Sequence, residues 1–233
     1  MAAVAPMPPY DLLCFDLDGT LVDTAGEIAE AVNRGLESCA VARRPVDQII
    51  HLVGAGLNSL VERLHAQLVA EQPGLAQRLT VPALLAAIDH HYIDVSGTLG
   101  QPYPGAAAAL QDLRAAGIRL ACVTNKETRH AVRVLAATGL EAYFVLLIGG
   151  DTLAHKKPHA SVLQHAMTRL AASAGRTAHV GDSWIDVAAA RNAGVQAWAV
   201  GYGYNAGEPI AAAAPDQLFD SLPAVAAHAL AGR

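Results

Sequence analysis

The sequence has 233 residues, of which 53% are hydrophobic, and a formal charge of −5 at pH 7. This length can bury a sizeable core and suits one large domain or one domain that carries an insertion. The acidic balance, with no basic stripe, argues against nucleic acid or an anionic membrane as a partner. Residues 1–9 carry no positive charge and no apolar run. No segment of the chain has an uninterrupted apolar stretch long enough to span a bilayer. We therefore expect no signal peptide and a cytoplasmic protein.

Short apolar runs recur along the chain between longer helical patterns, and they predict the strands of a sheet. The predicted strands are residues 12–16, 119–124, 144–149, 178–182 and 196–201. Strands that alternate with helices form βαβ units, so we expect an α/β fold with a Rossmann-like, doubly wound parallel sheet. Ligands of such sheets bind beyond the carboxyl ends of the strands.

Residues 24–97 show a different pattern, in which no strand is evident. Apolar residues from Val53 to Leu68 recur at spacings of three and four, and residues 25–39, 46–53 and 82–95 are also helix-like. Glycines and prolines in residues 97–104 indicate a return linker. We therefore predict a core domain of residues 1–23 and 98–233, and an inserted all-helical domain of residues 24–97, called the cap below.

The first predicted strand ends in Asp16-Leu17-Asp18-Gly19-Thr20. Carboxylates two residues apart lie on the same side of an extended chain, where they can share a cation or divide the roles of nucleophile and acid. They would repel each other without a metal ion between them. A calcium-binding loop is the alternative, but the buried strand before the motif and the apolar Leu21 and Val22 after it do not fit one.

Polar residues also follow the other predicted strands. Thr124 and Asn125 offer a hydroxyl and an amide that could hold phosphate oxygens. Lys156-Lys157-Pro158 offers an ammonium group, and the segment from Asp182 to Asp186 adds two more carboxylates. Because the carboxyl ends of parallel strands meet at one edge, we expect these groups to lie close together.

In this order and at these separations, the motifs resemble those of the haloacid dehalogenase superfamily over nearly the whole chain. Three further stretches, Gly149-Gly150-Asp151, Lys156-Lys157-Pro158-His159 and Gly201-Tyr202-Gly203-Tyr204-Asn205, are similar to ones typical of its phosphoglycolate phosphatase group. The resemblance implies a phosphatase that forms an aspartyl-phosphate intermediate and acts in carbohydrate metabolism.

The resemblance also implies a role for each motif residue. Asp16 would attack the phosphorus, and Asp18 would protonate the leaving oxygen and later activate a water molecule. Thr124, Asn125 and Lys157 would bind the transferring phosphoryl group, and Lys157 would also offset the charge of the nucleophile.

Mg²⁺ is the cofactor that the resemblance implies. Its ligands would be the Asp16 carboxylate, the Asp18 backbone carbonyl and Asp182, with Asp186 in reach directly or through water. In the cap, Gly54-Ala55-Gly56 would lie near where the cap approaches the substrate. His51 and Arg63 are nearby polar candidates for substrate contact, although a solvated helix face is the favoured interpretation of both.

The expected partner is a small phosphorylated metabolite, with phosphoglycolate the first candidate by resemblance, and the expected assembly is a monomer or a small homo-oligomer. A phosphomutase similar to β-phosphoglucomutase remains an alternative, although such enzymes often have Val where this chain has Thr20. A pyrophosphatase or nucleotidase of the same superfamily also remains open. A catalytically silent binding protein is disfavoured because all four motifs are intact.

Overall fold

The computed structural model describes residues 9–231. Residues 1–8, which carry most of the segment where we expect no signal peptide, lie outside this range. The strands are β1 Leu12–Phe15, β2 Val22–Asp23, β3 Gln101–Pro102, β4 Arg119–Val123, β5 Leu146–Ile148, β6 Thr177–Gly181, β7 Gln196–Val200 and β8 Gln217–Phe219. The α-helices are α1 Ala25–Ser38, α2 Val46–Ile50, α3 Leu57–Glu71, α4 Val81–Val95, α5 Ala106–Ala115, α6 Thr128–Ala137, α7 Ser161–Arg169, α8 Trp184–Ala193 and α9 Leu222–Ala231.

Six of these strands form one parallel sheet in the order β5-β4-β1-β6-β7-β8. The chain builds outward from β1 to β4 and β5, then returns to β6 on the other side of β1. The strand order therefore reverses around β1, which is where doubly wound sheets bind their ligands. This arrangement confirms the predicted fold class.

The sheet is covered on both faces, which explains why β1 is entirely apolar. Leu13 and Phe15 pack with α5, α6 and α9 on one face, whereas Leu12 and Cys14 pack with α7 and α8 on the other. Successive side chains of a strand point to opposite faces, so one short strand contributes to both halves of the core.

Helices α1 to α4 lie within the predicted cap and share a separate apolar core. These four helices and the segments between them are called the helical insertion. Its centre is the crossing of α1 and α4, where a Cβ atom on Gly35 would overlap Ile88. The two backbones can approach closely because Gly35 has no side chain. The insertion therefore packs as a helical unit with a core of its own.

The two chain crossings between the sheet and the helical insertion pair with each other. Strands β2 and β3 are antiparallel, with Val22 opposite Pro102 and Asp23 opposite Gln101. Glu27, in the first turn of α1, also accepts hydrogen bonds from the backbone N–H groups of Leu99 and Gly100 at 3.1 and 2.8 Å. The outgoing and returning segments are thus tied side by side.

The structure corrects several of the predicted elements. Strand β8 and the linker strands β2 and β3 were not expected, and the predicted strands end one residue beyond the observed ones. Val53 lies outside α3, because Gly54 and Gly56 have φ angles of +124° and +85° that interrupt the helical pattern. The boundaries of the cap at residues 24 and 97 stay a prediction. Within residues 9–231, no helix is both long and apolar enough to cross a membrane.

His130 joins α6 to the end of α4, and it is fully buried. Ser96 donates its hydroxyl proton to the Tyr92 carbonyl, so the 2.8 Å contact between Ser96 Oγ and His130 Nδ1 requires the ring nitrogen to be the donor. The neutral ring also stacks on Tyr92. Burial, together with the nearby cations Lys126 and Arg129, lowers the pKa of His130 to about 4.

This lowered pKa makes stability depend on pH. Below its ordinary pKa of 6.5, His130 takes up a proton in the unfolded chain but not in the folded one. The free energy of unfolding should therefore decrease as the pH is lowered from about 7 to about 4.5. In His130→Gln this decrease should be smaller than in the wild type by about 1–3 kcal/mol. Urea unfolding at both pH values measures it. His90→Gln, on the exposed side of α4, is the matched control; equal pH dependence in both variants would contradict the prediction.

Candidate active site

The predicted catalytic residues meet at the carboxyl edge of the sheet. Phe15, at the end of β1, pairs with Cys122 of β4 and with Val180 of β6. Asp16, Thr124 and Asp182 follow these strands directly. The register of the three central strands therefore places their side chains around one point.

Lys157 bridges two carboxylates beneath this edge. Its Nζ lies 2.9 Å from Asp16 Oδ1 and 2.7 Å from Asp186 Oδ1, and its side chain is 1% exposed. Asp16 also accepts a hydrogen bond of 2.7 Å from the backbone N–H of Leu17. The neighbouring Lys156 points elsewhere, with its Nζ beside Gly56 of the helical insertion. Lys157 is thus the lysine that the structure brings to the predicted nucleophile.

Asp186 is held by protein groups at both oxygens. Oδ1 accepts from Lys157 and from His179 Nε2 at 3.0 Å, and Oδ2 accepts from the backbone N–H and hydroxyl of Ser183. Burial alone would raise the pKa of Asp186, but Lys157 and His179 outweigh it and hold that pKa well below its usual range. Asp186 is therefore a carboxylate that remains ionised and anchors Lys157.

Asp182 is a third buried carboxylate close to Asp16. Its Oδ1 accepts a hydrogen bond of 3.0 Å from the Thr20 hydroxyl, and its Oδ2 accepts one of 2.7 Å from the Tyr204 backbone N–H. Burial, reinforced by the charges of Asp186 and Asp16, raises the pKa of Asp182 to about 8. Burial is also the main reason why the pKa of Asp16 is raised. The site thus concentrates more negative charge than Lys157 can balance.

These carboxylates form a group that could hold a metal ion. Asp16, Asp182 and Asp186 each offer an oxygen atom, and these atoms lie within 4.8 Å of one another. An all-oxygen donor set is the one that hard divalent cations such as Mg²⁺ prefer. A divalent cation would also offset the charge that raises the pKa of Asp182. The residues present therefore fit a divalent metal ion.

The Asp18 carboxylate does not join this group. Its Oδ1 accepts hydrogen bonds from Lys126 Nζ at 2.6 Å and from the Thr24 hydroxyl at 2.7 Å. Neither Lys126 nor Thr24 was among the predicted site residues. The separation of the two carboxylates leaves Asp16 on the metal side of the site and Asp18 facing the helical insertion.

Thr124 and Asn125 differ in how far their side chains are already engaged. Thr124 Oγ accepts a hydrogen bond of 3.3 Å from the Lys126 backbone N–H, so its own proton can still be donated to an anion. The Asn125 amide donates to the carbonyls of Gly54 and Lys157, and its oxygen accepts from the Lys157 N–H at 2.9 Å. Phosphate binding by the Asn125 side chain, which stays a prediction, would require these bonds to rearrange.

A cleft opens between the carboxyl edge and the helical insertion, with about 600 Å³ of empty space. Its core side carries the polar residues described above. The insertion contributes Gly54, Gly56, Tyr92 and four aliphatic side chains, namely Ile28, Val53, Leu57 and Leu60. Neither His51 nor Arg63 lines this cleft: the Arg63 guanidinium donates to the backbone carbonyls of Leu52 and His51.

Tyr204 connects the carboxylates to the linker, a role that sequence reasoning missed. Its hydroxyl donates to Asp23 Oδ1 and accepts from the Thr24 backbone N–H, both at 2.8 Å. Its own backbone N–H holds Asp182. The only signal in the sequence was the stretch Gly201-Tyr202-Gly203-Tyr204-Asn205, which marked the region but not the contact.

The chain is similar to known proteins in sequence and in fold. Residues 10–194 match the family model described as haloacid dehalogenase-like hydrolase. The chain is 42% identical to a plasmid-encoded phosphoglycolate phosphatase of Cupriavidus necator, over 94% of this chain and 93% of that one. It is 39% identical to a phosphoglycolate phosphatase of Colwellia psychrerythraea, over 91% and 93%. A solved structure of a predicted phosphoglycolate phosphatase from Haemophilus somnus superposes with a TM-score of 0.88 and 29% identity, covering 94% of this chain and 98% of that one.

Proposed function

This chain is a phosphatase of the haloacid dehalogenase-like hydrolase family, and we propose that it is a magnesium-dependent phosphoglycolate phosphatase that works through an aspartyl phosphate on Asp16. The observation that carries this proposal is that Asp16 contacts Lys157 at 2.9 Å and belongs to the same possible metal-binding group as Asp182 and Asp186. Asp18 stands apart on the cleft side, free of that group.

In the first step, the Asp16 carboxylate attacks the phosphorus and the bond to the leaving oxygen breaks. Lys157 holds Asp16 in place and offsets negative charge on the nucleophile and the transferring group. The Thr124 hydroxyl donates to a phosphoryl oxygen. Asp18 transfers a proton to the leaving oxygen, so that this oxygen departs as the hydroxyl group of glycolate rather than as an alkoxide.

In the second step, the Asp18 carboxylate takes a proton from a water molecule, which attacks the phosphorus of the aspartyl phosphate. Free phosphate leaves and Asp16 is restored. Lys126 and Thr24 orient Asp18 for both transfers through bonds of 2.6 and 2.7 Å. One carboxyl group can serve as acid and then as base because the first step leaves it ionised.

The carboxylates of Asp16 and Asp182 and the Asp18 carbonyl would hold Mg²⁺. When bound, the ion neutralises negative charge at the transferring phosphoryl group. Asp186 would be in reach of the ion directly or through water, and its contact with Lys157 ties the metal-binding group to the lysine.

A panel of phosphate esters tests the proposed substrate. With Mg²⁺ present, we expect kcat/KM to be highest for 2-phosphoglycolate, by about tenfold or more over ethyl phosphate, β-glucose 1-phosphate, pyrophosphate and AMP. The reason is that the helical insertion lines its side of the cleft mainly with apolar side chains and glycines, which offer few partners to a large polar leaving group. Release of inorganic phosphate measures each rate.

Two outcomes would contradict the proposal. Conversion of β-glucose 1-phosphate to glucose 6-phosphate without release of phosphate would identify a phosphomutase. Faster hydrolysis of pyrophosphate or AMP than of 2-phosphoglycolate would identify a pyrophosphatase or nucleotidase.

A further inference from the structure

Lys126 places a buried ammonium group in the wall of the cleft. Its side chain is 2% exposed, and its Nζ lies 2.6 Å from Asp18 Oδ1 and 5.0 Å from the centre of the Tyr92 ring. Burial alone would lower the pKa of Lys126, but the charge of Asp18 outweighs it and raises the pKa above the usual range. The group is therefore a permanent cation in the cleft.

The Lys126 ammonium group has more hydrogen-bond donors than its contact with Asp18 uses. An ammonium group has three N–H donors, and the Asp18 carboxylate and the Tyr92 hydroxyl can each accept one. Burial raises the pKa of Tyr92, so its hydroxyl stays neutral and its ring supports the ammonium by a cation–π contact. A third donor remains for a ligand.

Two other lysines lie close to the cleft without lining it, because Lys157 is bonded to Asp16 and Asp186 and the Lys156 Nζ lies beside Gly56. Lys126 is the only lysine or arginine among the described residues that line the cleft. The helical insertion contributes apolar walls, two glycines and Tyr92, none of which carries a positive charge. A second anionic group on a substrate, besides the phosphoryl group, would therefore find its partner at Lys126.

The position of Asp18 fixes where that second group would lie. As the proton donor, Asp18 must contact the oxygen that leaves the phosphorus, and Lys126 contacts the same carboxylate. In 2-phosphoglycolate, a single methylene group separates the ester oxygen from the carboxylate. An ammonium group bonded to Asp18 is thus within reach of a carboxylate at that distance.

We propose that Lys126 is a specificity-determining residue that binds the carboxylate of the substrate's leaving group. It would select phosphate monoesters that carry an acid group one carbon from the ester oxygen. The inference rests on the proposed function, because it takes Asp18 as the proton donor. The positive charge of Lys126 would be the physical reason why the enzyme prefers an acidic leaving group to a neutral one.

The first arm of the test removes the charge from the substrate. Wild-type enzyme is assayed with 2-phosphoglycolate and with 2-phosphoglycolamide, in which a neutral amide replaces the carboxylate. We expect kcat/KM to fall about 30-fold for the amide, mainly through a higher KM, because a charge-assisted hydrogen bond is lost. Equal kcat/KM for the two compounds would overturn the inference without any variant.

The second arm removes the charge from the protein. Lys126→Met, or Lys126→Gln if the first variant does not fold, should discriminate between the two compounds by less than about threefold. The loss of the Lys126–Asp18 contact lowers kcat/KM for both compounds alike. The ratio of their kcat/KM values therefore isolates the contact between Lys126 and the substrate carboxylate. Lys126→Arg should restore most of the discrimination. Lys156→Met, which removes the same charge from outside the cleft lining, should discriminate like the wild type.

The outcomes separate this inference from the proposed function. If the wild type prefers 2-phosphoglycolate and Lys126→Met keeps the preference, only the inference fails. If the wild type prefers another phosphorylated acid and Lys126→Met loses that preference, the inference holds and the proposed substrate is wrong. Loss of discrimination in Lys156→Met but not in Lys126→Met would also overturn the inference.

Discussion

Asp16→Asn should abolish multiple-turnover hydrolysis, with a loss of about 10⁴-fold or more in kcat. The amide keeps the size of the side chain but lacks the nucleophilic oxygen, so the aspartyl phosphate cannot form. The fold should persist, because the substitution lies beyond the end of β1 and leaves the apolar core unchanged. Steady-state rates with 2-phosphoglycolate, together with thermal unfolding, measure both expectations.

Two further variants control this experiment. Asp112→Asn removes an equal charge from the exposed side of α5 and should keep the wild-type rate. Asp18→Asn should still form the intermediate from p-nitrophenyl phosphate, whose leaving group needs little protonation, but should hydrolyse it slowly. A burst of p-nitrophenol and a phosphorylated Asp16 peptide are the expected signatures. Turnover by Asp16→Asn near the wild-type rate would exclude Asp16 as the nucleophile.

Removal of divalent metal should also abolish activity. Without a cation, Asp16, Asp182 and Asp186 place three carboxylates within 4.8 Å, balanced only in part by Lys157. Mg²⁺ should restore the rate and raise the thermal unfolding temperature. Ca²⁺ should stabilise the protein without restoring the rate, because its longer bonds and higher coordination number change how Asp16 is held. Full activity in excess chelator would rule out the proposed cofactor.

A pair of glycines in one motif provides the matched variants for the metal site. A Cβ atom on Gly203 would overlap the Asp182 side chain, whereas one on Gly201 would lie 3.7 Å from its nearest neighbour. Gly203→Ala should therefore raise the Mg²⁺ concentration for half-maximal activity about 10- to 100-fold. Gly201→Ala should change it little. Similar shifts in both variants would show that Asp182 does not contribute to metal binding.

The sequence predicted the positions around the metal group because they depend on strand ends. Asp16, Thr124 and Asp182 each follow a buried apolar run, and runs of this kind in parallel order must bring their ends together. Strand β8 was missed because its residues are largely exposed at the edge of the sheet, and it is three residues long. Such a strand has neither an apolar run nor an alternation to detect.

The partners of these residues could not be predicted in the same way. Lys126 meets Asp18 only because β4 lies beside β1, and Tyr204 reaches Thr24 across most of the chain. Asn125 has a side chain suited to phosphate, yet three hydrogen bonds engage it with Gly54 and Lys157. Residue type indicates which bonds a side chain can form, whereas the packing of distant segments decides which it does form.

The pairing of β2 with β3 has a consequence for how enzymes of this architecture can diversify. Because Val22 pairs with Pro102, the helical insertion leaves the core and returns to it at neighbouring positions, and it is therefore a closed loop on the core. The free energy of closing a flexible loop rises by only about 0.6 kcal/mol for each doubling of its length. Insertions of other lengths or folds could thus occupy the same gap at little cost to the sheet. The apolar wall that covers the cleft can therefore be exchanged as a module, while the chemistry proposed at Asp16 and the Lys126 contact, both on the core side, are inherited intact.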